Sequence, residues 1–122
     1  MKPTPGNDAA TVRDMLQACA DISISTSGIS FEQFRADSNA RRAAAFSFAV
    51  LGEAVKRLSP EFRAQHSKIA WHGIASMRDR IIHGYDTIDW TLLWDSATKD
   101  VPVLQKHVQQ IADDLGLSLS PF

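Results

Sequence analysis

The sequence predicts an all-α protein built as one domain. Turn-forming residues cluster at a few places, the segments between them set apolar side chains at steps of three and four, and no convincing strand-like alternation interrupts them. With 122 residues, 44% hydrophobic content, three Trp, six Phe and one Tyr, the chain has enough large apolar side chains to close a core without disulfides or a structural metal.

The elements follow in order. Residues 1–8 carry two prolines, a glycine and no apolar run of the kind found in a leader or anchor, so they read as a flexible tail ahead of a helical domain over 9–116, with 117–122 as a C-terminal tail. Val12, Met15, Leu16, Cys19 and Ile22 form one stripe of a first amphipathic helix, broken at Ser25–Gly28. Ser30 and Gln33 stand at the spacing of a capping box and predict a short second helix. Asp37 to Asn39 offers a new N-cap, and Ala40 to Leu58 then runs without proline and with apolar residues around most of its circumference, small ones such as Ala43, Ala44, Ala45 and Ala49 permitting close neighbours. This is the central helix; its most apolar stretch, Ala43 to Gly52, falls well short of the about 18 residues a membrane span needs.

Ser59-Pro60 ends the central helix and caps a brief one near Glu61 to Gln65. A further helix starts near Trp71 with Ile74, Met77 and Ile81 inward, and Gly84 is placed to stop it as a left-handed C-cap. Asp89 then caps a final helix whose apolar seam (Trp90, Trp94, Ala97, Val101, Leu104, Val108, Ile111, Leu115) serves either the core or a dimer. If continuous from Trp90 to Leu115 it spans about 39 Å, with a bend expected at Pro102.

Thirteen Lys and Arg against fourteen Asp and Glu leave a formal net charge of −1, which excludes a strongly basic nucleic-acid coat and requires any nucleic-acid site to be local. The single cysteine, Cys19, has no intramolecular partner and is expected as an inert core residue, and a reducing cytoplasm is the simplest compartment. His66, His72 and His107 lack the mutual spacing of metal ligands and read as surface or cap residues, so neither a metal nor a cofactor is expected.

The densest chemistry lies in Met77 to Tyr85, which sets Arg78, Asp79, Arg80, His83 and Tyr85 at a helix end. At about 100° per residue, Arg78 and His83 diverge by about 140°, so one helix does not focus them, whereas Asp79 and His83 share a face on which the carboxylate can orient the imidazole. A long arginine side chain or a second copy of the chain must complete such a site. Glu53 either positions Arg78 as a buried acid or pairs with Arg57 four residues on, the second being the simpler reading; Glu53 and Arg80 are kept as supporting candidates. The basic residues at 41, 42, 56, 57, 63 and 68 form a local rim for RNA or, by default, a scattered surface set. Taken alone, Arg78 and Arg80 read as a solvated helix face, and His83 as a cation at a helix C-terminus.

The Arg-x4-His spacing of Arg78 and His83, continued as His-x-Tyr to Tyr85, resembles the HEPN superfamily and, more narrowly, the HepT-like toxins. The likeness extends to Gly52-Glu-Ala-Val-Lys-Arg-Leu-Ser-Pro60, to Trp71-x2-Ile74-x2-Met77-Arg78 and to the Ser30-Phe-Glu-x-Phe34 element, and covers roughly residues 9 to 112. Two departures stand out: Ala70 where relatives often carry proline, and Asp79 where asparagine is common. The resemblance implies an up-and-down bundle of four to six helices that forms a homodimer, and a metal-independent endoribonuclease toxin with Arg78, Asp79 and His83 at a composite cleft. It also implies a nucleotidyltransferase antitoxin partner that AMPylates Tyr85. For Tyr85 the plain alternative is a ring packed on the last helix with its hydroxyl in water. For the whole chain the alternative is a non-catalytic module that binds a nucleotidyltransferase or a nucleotide.

Overall fold

The computed structural model describes residues 8–117, and every described element is helical, with no strand among them. The sequence-expected tails at 1–8 and 117–122 therefore lie outside the described residues except for Asp8 and Leu117. Asp8 is no tail residue: it opens the first helix, α1 (Asp8–Thr26), and is buried. Its carboxylate accepts hydrogen bonds from the Ser59 backbone N–H at 3.0 Å and the Ser59 hydroxyl at 2.8 Å, so a residue 51 positions later holds it down.

The caps form where the local sequence sets them. Gly28, at φ +74°, turns the chain out of α1, a left-handed conformation open to glycine at no steric cost. Ser30 and Gln33 form the reciprocal capping box of α2 (Phe31–Ala36), and Asp37 accepts from the Asn39 and Ala40 N–H groups at the start of α3 (Ser38–Arg57). Ser59 caps α4 (Pro60–Gln65) with Pro60 in its first turn. Next come α5 (Trp71–His83), a single 3-10 turn (Tyr85–Thr87), and a rod of α6 (Trp90–Asp95), a π-helical turn (Ser96–Asp100) and α7 (Val101–Asp114).

The sequence places the irregularity of that rod at Pro102, and the structure places it just before. The Val101 N–H reaches back five residues to the Ser96 carbonyl, so the ladder widens to π geometry ahead of the proline, whose ring supplies no donor.

α1 packs against both α3 and α7, and α5 packs on the far side of α3. The expected α1 stripe is buried throughout, with Met15, Cys19 and Ile22 fully inaccessible in the same core as Leu51, Val55 and Leu58. Burial pushes the Cys19 thiol up to about 12, which keeps it neutral and unreactive. The final seam serves the core at Ala97, Val101, Val108 and Ile111, while Leu115 is exposed. Phe34 of α2, fully buried, sits between Trp94 (5.1 Å between ring centroids) and Trp90 (6.3 Å), and this aromatic cluster holds α2 against the start of the rod. The apolar circumference expected of α3 is only partly covered in this chain. Ala44, Ala45, Phe48 and Leu51 are buried, but Ala43, Phe46 and Val50 face outward.

Candidate functional site

α5 carries the candidate residues, and its position is set by two anchors. At its N-terminal end the Trp71 indole N–H donates to the carbonyls of Arg63 and His66, both at 3.1 Å, which ties the start of α5 to the end of α4, while Ala70 supplies no side-chain cap. Further along, α5 touches α3 at Gly52: a side chain there would overlap the Cβ of Arg78, so the absence of one lets the two backbones meet.

That contact places Arg78 on the α3-facing side of α5, where it lies between two acids. One guanidinium nitrogen is 3.2 Å from Glu53 Oε2 and the other 3.0 Å from Asp79 Oδ1. Lys56 Nζ approaches the same Asp79 oxygen at 2.6 Å. The hydrogen bond from Lys56, then that from Arg78, holds the Asp79 carboxyl below the usual carboxylate range. The four side chains form one chain of alternating charge: Glu53, Arg78, Asp79, Lys56.

Two sequence expectations change here. Glu53 pairs with Arg78 and is half-exposed rather than buried, while Arg57, its expected partner, reaches Asp14 on α1 at 3.3 Å. Asp79 is not seen to orient His83: Lys56 and Arg78 donate to its Oδ1, and no hydrogen bond joins it to His83 among the described residues. Lys56, assigned in the sequence only to a basic rim, is the residue that reading missed. Its signal was present in the Gly52-Glu-Ala-Val-Lys56 stretch, where Glu53 and Lys56 stand one turn apart on the side of α3 that meets α5.

His83, Arg80 and Tyr85 occupy other surroundings. His83 is exposed at the C-terminal end of α5. It lines a groove of about 640 Å³ together with Asp79, Arg80, Gly84 and Asp89, and Arg78 is not part of that lining. A single chain thus does not bring Arg78 and His83 together, in keeping with their angular separation on one helix. Gly84 is not the expected left-handed cap: its φ is −150°, and the chain enters the 3-10 turn at once. Glycine fits there for closeness, since a Cβ would lie 2.8 Å from Thr87 Oγ1, which bonds back to the Gly84 carbonyl. Tyr85 sets its ring edge-on to Trp90 (5.9 Å, 77°), and the Arg41 guanidinium covers the Trp90 ring at 5.5 Å. Among the described residues no group of three or more His, Cys, Asp or Glu is placed to hold a metal ion, and no helix is long and apolar enough to cross a membrane.

These helices, packed around one buried core with an arginine and a histidine near the end of α5, define a small all-α domain. The chain belongs to the HepT-like family, described as Ribonuclease HepT-like, whose match covers residues 15–111. Among its relatives are "Putative RNase TTE0752" of Caldanaerobacter subterraneus subsp. tengcongensis, 42% identical over 80% of this chain and 87% of the relative. "Putative RNase MJ0127" of Methanocaldococcus jannaschii is 33% identical over 87% of this chain and 88% of the relative. "Probable ribonuclease HepT" of Thermococcus cleftensis is 31% identical over 82% and 91%. No solved structure matches the chain. The fold is thus the all-α HEPN-like bundle that the sequence predicts, and the family is a ribonuclease family.

Proposed function

We propose that the chain is a metal-independent endoribonuclease toxin that acts in the cytoplasm as a homodimer, with Arg78 and His83 of both copies at a shared cleft and Asp79 as the group that positions Arg78. The observation that carries this reading is the separation of the two groups within one protomer. A guanidinium held on one side of α5 and an imidazole on the other become a working pair only when a second copy brings its own. Exposed apolar side chains flank this region on both helices: Val50 and Phe46 one and two turns before Glu53 on α3, and Ile82 one turn after Arg78 on α5. A partner protomer that covers them sets its α5 against this one.

The chemistry follows from the two groups. His83 removes the proton from a ribose 2′-hydroxyl, the oxygen attacks the neighbouring phosphorus, and the bond to the 5′-oxygen breaks. A second imidazole returns a proton to that leaving oxygen, so the products are a 2′,3′-cyclic phosphate and a 5′-hydroxyl. Arg78 neutralises the charge that builds on the phosphorane oxygens, a task for which a planar, permanently charged fork is suited. In the same reading a nucleotidyltransferase antitoxin silences the enzyme by AMPylating Tyr85. The exposed phenol stands two residues from His83, and an added nucleotide there repels and obstructs an incoming phosphate.

The test is cleavage of RNA by the purified chain with and without chelator, beside Arg78→Ala and His83→Ala. Cleavage that survives chelator and is lost in both variants, with circular dichroism unchanged, is expected. Full activity in either variant overturns the site. A chain that binds a nucleotidyltransferase but never cuts RNA is a non-catalytic module. Mass spectrometry after co-expression with that partner reads the adduct, which must map to Tyr85.

A further inference from the structure

The groove at His83 does not end there. Through Met77, Arg80 and Leu92 it opens into a second groove of about 770 Å³ between α5 and the α6–α7 rod. Four basic side chains line that second groove, Lys68, His72, Arg80 and His107, against one carboxylate, Asp100. The four are exposed, and none is engaged in an ion pair or side-chain hydrogen bond within the described residues. In a chain of net charge −1 such a concentration of unpaired bases is local and one-sided. The walls between them are apolar, with Ile74, Met77 and Leu104 among the lining, and at Gly73 an added Cβ meets nothing, so the α5 backbone lies open to the groove.

We infer that this groove is the track for the single-stranded RNA flanking the cleaved linkage: Lys68, His72, Arg80 and His107 take the phosphates, the apolar walls take the bases, and His83 stands at the end. The inference rests on the ribonuclease reading and adds to it where the substrate lies. Bases paired with apolar surface and phosphates paired with cations are the chemistry of a non-sequence-specific strand site. From His72 to His83 the helix rises about 16 Å, room for more than one nucleotide. The exposed apolar residues that flank the Arg78 region lie on the other side of α5, so a partner docked there leaves the groove open.

The experiment measures binding of a fluorescent 12-nucleotide single-stranded RNA to the full chain in the His83→Ala background, by anisotropy over a range of salt, with Lys68→Glu/His107→Glu and separately Gly73→Leu added. The charge-reversed variant is expected to bind at least about tenfold more weakly and to show a salt slope shallower by up to about 1.4, since each of the two phosphate contacts removed contributes about 0.7 on a single strand. Gly73→Leu, which fills the groove without altering charge, is expected to weaken binding as well, while Lys68→Arg keeps it. With His83 restored, KM for the long RNA is expected to rise in both groove variants. Unchanged affinity and salt slope in both overturn the inference. So does a change of oligomeric state in the groove variants, by light scattering, which makes the groove a protein contact. Loss of binding in these variants, from a parent chain that cuts no RNA, leaves the track in place and removes the nuclease reading.

Discussion

Lys56 Nζ and Asp79 Oδ1 lie 2.6 Å apart, and this contact fixes what Asp79 does. With Arg78 on the same oxygen, the carboxylate steadies a guanidinium instead of an imidazole. Asp79 is held below the ordinary carboxylate value chiefly by Lys56 and secondly by Arg78. A depressed carboxylate contributes stability above its unfolded value of about 3.9 and loses it as pH falls through the folded value. Both side chains are well exposed, so the effect on folding is small and the sensitive readout is the titration itself. In Lys56→Gln the Asp79 carboxyl resonance, followed by NMR, is expected to titrate at higher pH than in the parent. An unchanged midpoint contradicts the assignment.

Gly52 sets how near α3 and α5 approach. An alanine methyl there meets the Cβ of Arg78, which sits on the α5 backbone and has no rotamer by which to yield. Gly52→Ala is expected to destabilise the fold by about 1–3 kcal/mol, the usual result of overpacking, although alanine is the better helix former. Urea denaturation reads it, and a neutral or stabilising result means that the helices separate without cost. Because the shift falls on Arg78, RNA cleavage is expected to drop even where the folded fraction is complete.

Local signals were legible in the sequence, and contacts between helices were not. The caps at Ser30, Asp37, Ser59 and Asp89 depend on side chains two or three residues from the amides they serve, so spacing alone locates them. The divergence of Arg78 and His83 was likewise legible, because it is a property of one helix. Glu53 was misassigned because Arg57 and Arg78 both suit a carboxylate, and the choice depends on the register of α3 against α5, which Gly52 fixes in space. Gly84 was misread because its conformation follows from the 3-10 turn after it rather than from the helix before it. Asp8 looked like tail because its partner, Ser59, is far away in the chain.

Asp8 and Ser59 form a coupled pair. The Ser59 hydroxyl accepts from the Phe62 N–H as the α4 cap while donating to Asp8, whose other oxygen accepts from the Ser59 N–H. Ser59→Ala removes the cap and one bond to a buried carboxylate, an expected loss of about 2 kcal/mol. Asp8→Ala leaves the Ser59 N–H and hydroxyl short of a partner and is expected to cost a similar amount. The double variant is expected to lose less than the sum of the two, because the shared bonds are removed once. Additive losses in a denaturation cycle show the pair to be independent.

The two readings of Tyr85 differ in what its hydroxyl does. The ring packs edge-on against Trp90, a contact of the kind that contributes about 0.5–1.5 kcal/mol, while the residue stays 44% exposed. Tyr85→Phe keeps the ring and removes the only atom able to accept a nucleotidyl group. It is expected to match the parent in stability, to cut RNA as the parent does, and to resist silencing by a co-expressed nucleotidyltransferase, with no adduct in the mass spectrum. Tyr85→Ala is expected to lose the packing energy as well. If Tyr85→Phe is silenced as fully as the parent, the phenol is a packing residue and the modification lies on another side chain.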